Sequence, residues 1–397
     1  MGVAPPGSGP VFIVGNPRSG STLLASLLDR HDVFACGPET HFFNQLDDAD
    51  FRRSLRNWPE AATEAICSLT VHDVPVHESF QIERDDIIEF LGARAPSTRA
   101  MLESLTATYA IRHGARRWVE KTPNHISQLA RLRAIFPEAT IIETARHPVA
   151  SAHGMRALPW ASPSAVANSY LISDWASKSD AFLRSDVDVV TVRHEDLLAD
   201  PVGTMTHLFG RLGECFEPGV LTRSGSTGLI ESMATWKEAS TGPLDSSMGR
   251  RWERDADESQ CAAISAICAD YRHRLGYDPI GDHRPACVSV RGFDALAAQR
   301  FGSGLDELAA QGMVIVPAES SSPLVLVVPP SRPPTQGFRW RARELWRSVR
   351  RGHRLRVLTD AGPKRWPHRI LVRLGLVIDV QVSDLVVGHQ SEPVSAG

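Results

Sequence analysis

Short apolar runs alternate with segments of helical periodicity over the first 280 residues. Three short segments with clustered β-branched and apolar residues predict buried strands at 11–15, 139–145 and 187–192. Apolar positions spaced three or four residues apart predict helices at 19–29, 84–113 (broken at Gly92 and Pro96), 124–135, 163–184, 194–199, 202–212 and 259–275. Strands separated by helices indicate an α/β fold, a doubly wound parallel sheet flanked by helices. Ligands of such sheets bind beyond the carboxyl ends of the strands.

The pattern changes after Pro285. The sequence predicts an amphipathic helix at 292–312, a valine-rich strand within 323–334 and a strand-like segment at 369–387. The chain has a net charge of -3, but residues 331–397 contain 13 Lys/Arg and only 5 Asp/Glu. We therefore divide the chain into a disordered lead-in at 1–9, a main domain at 10–284 and a basic α+β appendage at 285–397, to which the sequence assigns no role.

Composition narrows the class of protein. Hydrophobic residues make up 42% of the chain and charged residues 22%, as in soluble globular proteins. The six cysteines form no C-x-x-C pair and are too sparse for a disulfide framework. No signal segment precedes the first strand, and no apolar run approaches the ~20 residues of a membrane helix. We expect reduced thiols and a cytoplasmic location.

The Arg-rich segment at 338–356 contains Trp340 and Trp346 at helical spacing. It fits a solvated basic helix packed on the body of the protein. It also fits peripheral contact with an anionic membrane surface, or an acidic acceptor. We expect no nucleic acid partner, since no recognition motif accompanies the segment.

A glycine loop follows the first predicted strand. Gly15 and Gly20 are five residues apart and are followed by Ser21 and Thr22, which is the spacing of a phosphate-binding P-loop. Such a loop directs backbone N–H groups and the positive end of a helix at an anion. Ser21 stands where a nucleotide triphosphatase has lysine, which argues against ordinary ATP chemistry. Two alternatives stay open: a small-molecule kinase with a degenerate P-loop, and a non-catalytic nucleotide-binding module.

Four segments resemble the sulfotransferases that use 3'-phosphoadenosine 5'-phosphosulfate (PAPS). The resemblance covers residues 10–280 and is nearest to the branch with protein-tyrosine sulfotransferases and many bacterial enzymes. The segments are PRSGSTL at 17–23, CGPETH at 36–41, EKTPN at 120–124 and RHPVASAHG at 146–154.

The resemblance implies roles for specific residues. The 5'-phosphosulfate group would be held by Arg18, Ser19, Gly20, Ser21 and Thr22. Glu39 would be the base that takes the acceptor proton, with His41 as a rival because other branches use histidine. Lys121, one of only four lysines against 39 arginines, would neutralise the bridging oxygen as the nucleotide leaves.

The 3'-phosphate site shows a departure from the family pattern. Arg146 stands at the expected position, but the usual serine eight residues later is Gly154 here. Ser151, one turn earlier, is the nearest substitute. Arg251, or Arg250, on a late loop would also reach this phosphate, and residues 236–248 would form a mobile lid.

These inferences predict an enzyme that moves a sulfuryl group from PAPS to a hydroxyl acceptor by in-line displacement. A sugar, a lipid, a natural product or a tyrosine would all suit one carboxylate base. We expect no catalytic metal, because the sequence contains no cluster of metal ligands.

Overall fold

The computed structural model describes residues 9–186, 188–223, 249, 252–254, 256–281, 285–290, 294–310 and 312–317, and three short strands beyond them. The strands are β1 (Val11–Gly15), β2 (Phe34–Cys36), β3 (Thr70–Val71), β4 (Val74–Pro75), β5 (Arg117–Lys121), β6 (Thr140–Ala145), β7 (Val189–Arg193), β8 (Ala286–Val290), β9 (Met313–Pro317), β10 (Val325–Leu326), β11 (Leu355–Leu358) and β12 (Ile378–Val380).

The helices divide into those before and after β6. The first group is α1 (Ser21–Asp29), α2 (Phe42–Gln45), α3 (Asp48–Arg56), α4 (Glu60–Cys67), α5 (Val76–Ser79), α6 (Arg84–Gly92), α7 (Thr98–Arg112) and α8 (Leu129–Ile135). The second is α9 (Pro148–Met155), α10 (Ala165–Ser185), α11 (His194–Ala199), α12 (Pro201–Arg211), α13 (Glu258–Ile267), α14 (Ala269–Leu275) and α15 (Ala295–Ala310). Two 3-10 helices lie at Pro123–Gln128 and Pro218–Leu221.

Five parallel strands form the main sheet, in the spatial order β2-β5-β1-β6-β7. Alternate residues of β1 face opposite sides. Phe12 belongs to one apolar core with Leu105 of α7 and Leu132 of α8, and Ile13 to another with Leu24 of α1 and Leu208 of α12. The sheet is therefore covered on both faces, which confirms the predicted doubly wound α/β fold.

Sequence patterns located several elements correctly. The predicted strands at 11–15, 139–145 and 187–192 correspond to β1, β6 and β7, and the helical segment broken at Gly92 and Pro96 corresponds to α6 and α7. Two helices differ in detail. The one predicted at 124–135 begins as a 3-10 helix before α8, and the one at 259–275 is divided at Cys268 into α13 and α14.

The described residues divide into two compact units. The first gathers the residues up to Ser151 with those from Trp175 to Glu253, and it contains the five-stranded sheet. The second gathers Ala152–Asp174 with the residues from Arg254 onward. Within it, Ser164 Oγ donates to Asp306 Oδ1 over 2.7 Å, and the Tyr170 hydroxyl donates to Ile315 O over 2.7 Å. The predicted domain boundary at 284 stays a prediction.

The C-terminal part contains a second parallel strand pair, β8 with β9, and a set of three short parallel strands, β10 to β12. Most of the Arg-rich segment at 338–356 and the predicted lid at 236–248 lie outside the described residues. Within the described part of the chain, no helix combines the length and the apolar character needed to cross a bilayer.

Candidate active site

The loop between β1 and α1 is held closely against neighbouring strands. Gly20 precedes α1 with φ 96°, and a Cβ there would lie 2.6 Å from Nδ1 of His194, the first residue after β7. Arg18 also has a positive φ, 63°. Ser19 does not cap the helix, contrary to its predicted place at the helix start. Its Oγ lies instead 2.7 Å from Thr144 Oγ1, which ties the loop to β6.

One arginine, Arg18, lies in this loop, and a second, Arg146, lies next to it. Arg146 follows β6; its Nη1 donates to the carbonyl oxygen of Arg18 over 3.3 Å, and its Nη2 to that of Gly249 over 3.1 Å. Burial lowers the pKa of Arg18, although a guanidinium remains charged at neutral pH. Burial, followed by the charge of Arg146, lowers the pKa of His194 to about 4, although Glu195 opposes the shift. Neutral His194 therefore adds no third positive charge, and this end of the sheet suits an anion.

Several polar side chains beside the loop are buried. Ser21 and Thr22, which begin α1, are 6% and 9% exposed. Asn16 and Ser151 are each 1% exposed, and among the described residues neither the amide of Asn16 nor the hydroxyl of Ser151 has a hydrogen-bond partner. Buried polar atoms are nearly always bonded, so these groups are available to bonds with water or with a bound ligand.

A buried ion pair lies beside the loop at the same edge of the sheet. Lys121 ends β5 and is paired in register with Ile13 of β1, while Glu39 follows three residues after Cys36, the end of β2. Lys121 Nζ lies 2.6 Å from Glu39 Oε1, and the two side chains are 0% and 11% exposed. The structure thus brings together the two residues that the resemblance marked as catalytic.

His41 contacts the second oxygen of the same carboxylate. Its Nε2 lies 3.1 Å from Glu39 Oε2, and its side chain is 26% exposed. On the other side of the ring, Asn124 Nδ2 lies 3.4 Å from Nδ1. The sequence treated Glu39 and His41 as rival bases, whereas the structure joins them by a hydrogen bond.

A second carboxylate, Glu120, holds the segments that carry these residues. Glu120 accepts hydrogen bonds from the Thr40 hydroxyl over 2.8 Å, from the Thr122 hydroxyl and from His125 Nδ1 over 3.0 Å. His125 Nε2 in turn accepts from the backbone N–H of Phe43, so its hydrogen is on Nδ1. Burial alone would raise the pKa of Glu120, but His125 and the two hydroxyls outweigh it and lower that pKa. The carboxylate is therefore charged, and it links the residues next to Glu39 with those next to Lys121.

The predicted site residues that the structure describes lie at the carboxyl edge of one sheet, in the first unit. Arg251, predicted to reach the 3'-phosphate, lies outside the described residues. Sequence reasoning missed Asn16, Asn124 and His125. Among the described residues, no group of three or more His, Cys, Asp or Glu is placed to hold a metal ion.

Comparisons with known proteins identify the family. The model of the sulfotransferase family matches residues 10–218. Nodulation protein NoeE of Sinorhizobium fredii (strain NBRC 101917 / NGR234) is 30% identical over 154 residues, which are 38% of this chain and 32% of that protein. The match therefore spans about a third of that relative's length.

The fold is shared with a solved structure. The sulfotransferase domain from the Synechococcus PCC 7002 olefin synthase has a TM-score of 0.50 at 20% identity, covering 68% of this chain and 96% of that domain. The sulfotransferase domain from the curacin biosynthetic pathway has a TM-score of 0.48 at 19% identity, covering 68% of this chain and 98% of that domain. With a family match over more than half of its residues, the chain belongs to the sulfotransferase family.

Proposed function

We propose that this enzyme transfers a sulfuryl group from PAPS to a hydroxyl acceptor by in-line displacement. Sulfotransferase activity follows from family membership, and the family generally uses PAPS. The observation that carries the proposal for this chain is the buried contact of Glu39 with Lys121, beside the glycine loop between β1 and α1.

The loop and its neighbours fit the donor. Backbone N–H groups from Arg18 to Thr22, with the N-terminal end of α1, would hold the 5'-phosphosulfate. Arg146 would bind the 3'-phosphate. Ser151, whose buried hydroxyl has no partner among the described residues, is available to the same phosphate. The bound donor supplies an activated sulfuryl group.

Glu39 and Lys121 have different roles in the reaction. The Glu39 carboxylate accepts the proton of the attacking hydroxyl. The Lys121 ammonium, wholly buried, stabilises negative charge that develops as the bond to sulfur breaks. A charge fixed in a water-poor site acts more strongly than one in solvent, because its surroundings are less polarisable and screen it less.

Two measurements on the full-length protein test the proposal. Isothermal titration should show binding of adenosine 3',5'-bisphosphate and much weaker binding of ATP with Mg²⁺. PAPS labelled in the sulfuryl group is then offered with a panel of sugar, lipid, phenol and alkyl alcohol acceptors. The enzyme should transfer label to at least one of these classes. Preference for ATP would support the degenerate-kinase alternative. Nucleotide binding without consumption of PAPS would support a non-catalytic module.

A further inference from the structure

We propose that His41 is the proton exit of the active site. It would receive from Glu39 the proton that Glu39 takes from the acceptor, and release it to solvent. This inference rests on the proposed function, since it needs Glu39 as the base. Glu39 and His41 are then not rival bases, because Glu39 accepts the proton first and His41 receives it next.

The first support is that the two oxygens of Glu39 have different partners. Oε1 lies 2.6 Å from Lys121 Nζ, and Oε2 lies 3.1 Å from His41 Nε2. A lysine ammonium has donors only and no lone pair, so it cannot take up a proton. The imidazole of His41 has a nitrogen lone pair in either neutral tautomer, so it can take up a proton.

The second support is a gradient of exposure. The Lys121 side chain is 0% exposed, that of Glu39 11% and that of His41 26%. Of these three side chains, His41 has the most contact with water, so a proton that reaches its imidazole can leave to solvent. If the proton stayed on Glu39, the base would be spent after one turnover, so a route to solvent is a chemical requirement of a catalyst.

The third support is the environment of the far side of the ring. Asn124 Nδ2 lies 3.4 Å from His41 Nδ1, while Asn124 Oδ1 is buried with no hydrogen-bond partner among the described residues. A flip of the amide would present Oδ1 to the ring in place of Nδ2. An amide can thus support either neutral tautomer, as donor to Nδ1 or as acceptor from Nδ1–H. Asn124 is neutral, so it places no fixed charge beside the ring.

The backbone holds His41 firmly in place. His41 has φ 49° and ψ 20°, a left-handed conformation that non-glycine residues seldom adopt. Its carbonyl oxygen accepts from the N–H groups of Asn44 and Gln45, each over 3.0 Å, and its own N–H lies 3.4 Å from Thr122 Oγ1. An uncommon conformation fixed at both ends aims the ring at Glu39.

The step balances as follows. The acceptor O–H bond breaks and its electron pair forms the new O–S bond, while the bond from sulfur to the nucleotide phosphate oxygen breaks and its pair stays on that oxygen. The acceptor proton goes to Glu39. It then passes from Oε2 to the lone pair of Nε2 in the Nδ1–H tautomer, and the imidazolium releases a proton to water. No further reactant is needed.

The test compares H41Q and H41A with E39Q in the full-length protein. Release of adenosine 3',5'-bisphosphate from PAPS is measured with water alone as acceptor and with the alcohol panel. His207→Gln is the control, because His207 is an exposed histidine on α12. Glutamine at 41 can still donate a hydrogen bond to Glu39 but cannot carry a proton, so it separates relay from positioning.

We expect H41Q and H41A each to lose about tenfold or more in kcat, with the KM for PAPS nearly unchanged, since proton transfer and not donor binding is impaired. Added imidazole should restore turnover to H41A, where the ring has been removed, but not to E39Q. H207Q should match the wild-type enzyme.

Full kcat in H41Q, or no response of H41A to imidazole, would overturn the relay while leaving Glu39 as the base. An active E39Q beside an inactive H41A would make His41 the base itself, against both the relay and the role of Glu39. A wild-type protein that consumes no PAPS would overturn the proposed function and the relay with it.

Discussion

Lys121 and Glu39 form a buried ion pair, with 2.6 Å between Nζ and Oε1, although they are 82 positions apart in the sequence. Burial of two charges removes them from water, and their attraction only partly offsets that cost. The pair is thus a weak source of stability but an effective way to keep a charged acid and a charged base in a dry site. The presence of this buried ion pair is therefore better explained by a role in the reaction than by a contribution to folding stability.

Substitution of Glu39 by glutamine should separate chemistry from binding. We expect E39Q to lose ~100-fold or more in kcat, the usual size of base catalysis, because the amide cannot accept the acceptor proton. Adenosine 3',5'-bisphosphate does not occupy the acceptor position, so its affinity for E39Q by isothermal titration should stay close to its affinity for the wild type. An E39Q enzyme with full turnover would remove Glu39 from the base role.

Removal of the carboxylate altogether should also cost stability. Glu39→Ala leaves the Lys121 ammonium buried without its partner, so we expect a loss of about 3 kcal/mol in the free energy of unfolding. Adding Lys121→Met to that variant should recover part of the loss, since no buried charge then remains. Urea unfolding of both single variants and the double variant measures the coupling, and strictly additive losses would contradict it.

The sequence predicted the parts of this site that depend on local pattern. The glycine loop was recognisable because its spacing is fixed, β1 because it is a continuous apolar run, and β6 because of its β-branched residues around Ile141 and Ile142. Strands β2 and β5 were missed for physical reasons. β2 has only three residues, and β5 contains Arg117, Glu120 and Lys121, which read as exposed positions.

Those charges are buried only because distant residues satisfy them. Arg117 Nη1 donates to Leu212 O over 2.7 Å, and Glu120 is held by Thr40 and His125. No local pattern reports such partners. The motif placed Glu39 and Lys121 in one site, but only the fold shows that they touch, and that His41 takes the other oxygen.

Arg146 should govern nucleotide affinity. We expect Arg146→Ala to weaken binding of adenosine 3',5'-bisphosphate by tenfold or more, roughly one charge-assisted hydrogen bond. The substitution removes the proposed phosphate ligand and also the brace to the Arg18 carbonyl. Isothermal titration checks it, with Arg53→Ala as control because the Arg53 side chain is 75% exposed on α3. Equal affinities for both variants would contradict the assignment.

Gly20 should tolerate no side chain. Alanine there would need a left-handed backbone, which costs about 1–2 kcal/mol, and its Cβ would also meet the His194 ring at 2.6 Å. Gly114 offers a matched control, since it has φ 69° with nothing within 4 Å of an added Cβ. Urea unfolding should show a clearly larger loss for Gly20→Ala than for Gly114→Ala. Similar losses would mean that the His194 contact is easily relieved.

His194 should make stability depend on pH. The ring titrates at about 4 in the folded protein, because burial and the charges of Arg146 and Arg18 outweigh Glu195, and near 6.5 in the unfolded chain. Between these values the unfolded state binds more protons, so the free energy of unfolding falls as the pH is lowered from 6.5 towards 4. The fall totals roughly 3 kcal/mol, at about 1.4 kcal/mol per pH unit. Above 6.5 neither state is protonated and this effect vanishes.

Urea unfolding of the wild type and His194→Asn at pH 7.5 and 5.0 isolates this contribution from other titrating groups. Between the two pH values the wild type should lose about 2 kcal/mol more than the variant. This figure covers only the part of the interval from 6.5 to 4 that lies above pH 5. His207→Asn, which removes an exposed histidine, should follow the wild type. Suppose that the wild type and His194→Asn lost the same amount of stability between pH 7.5 and 5.0. His194 would then be open to protonation in the folded protein. The anion site would then gain a third positive charge in mild acid.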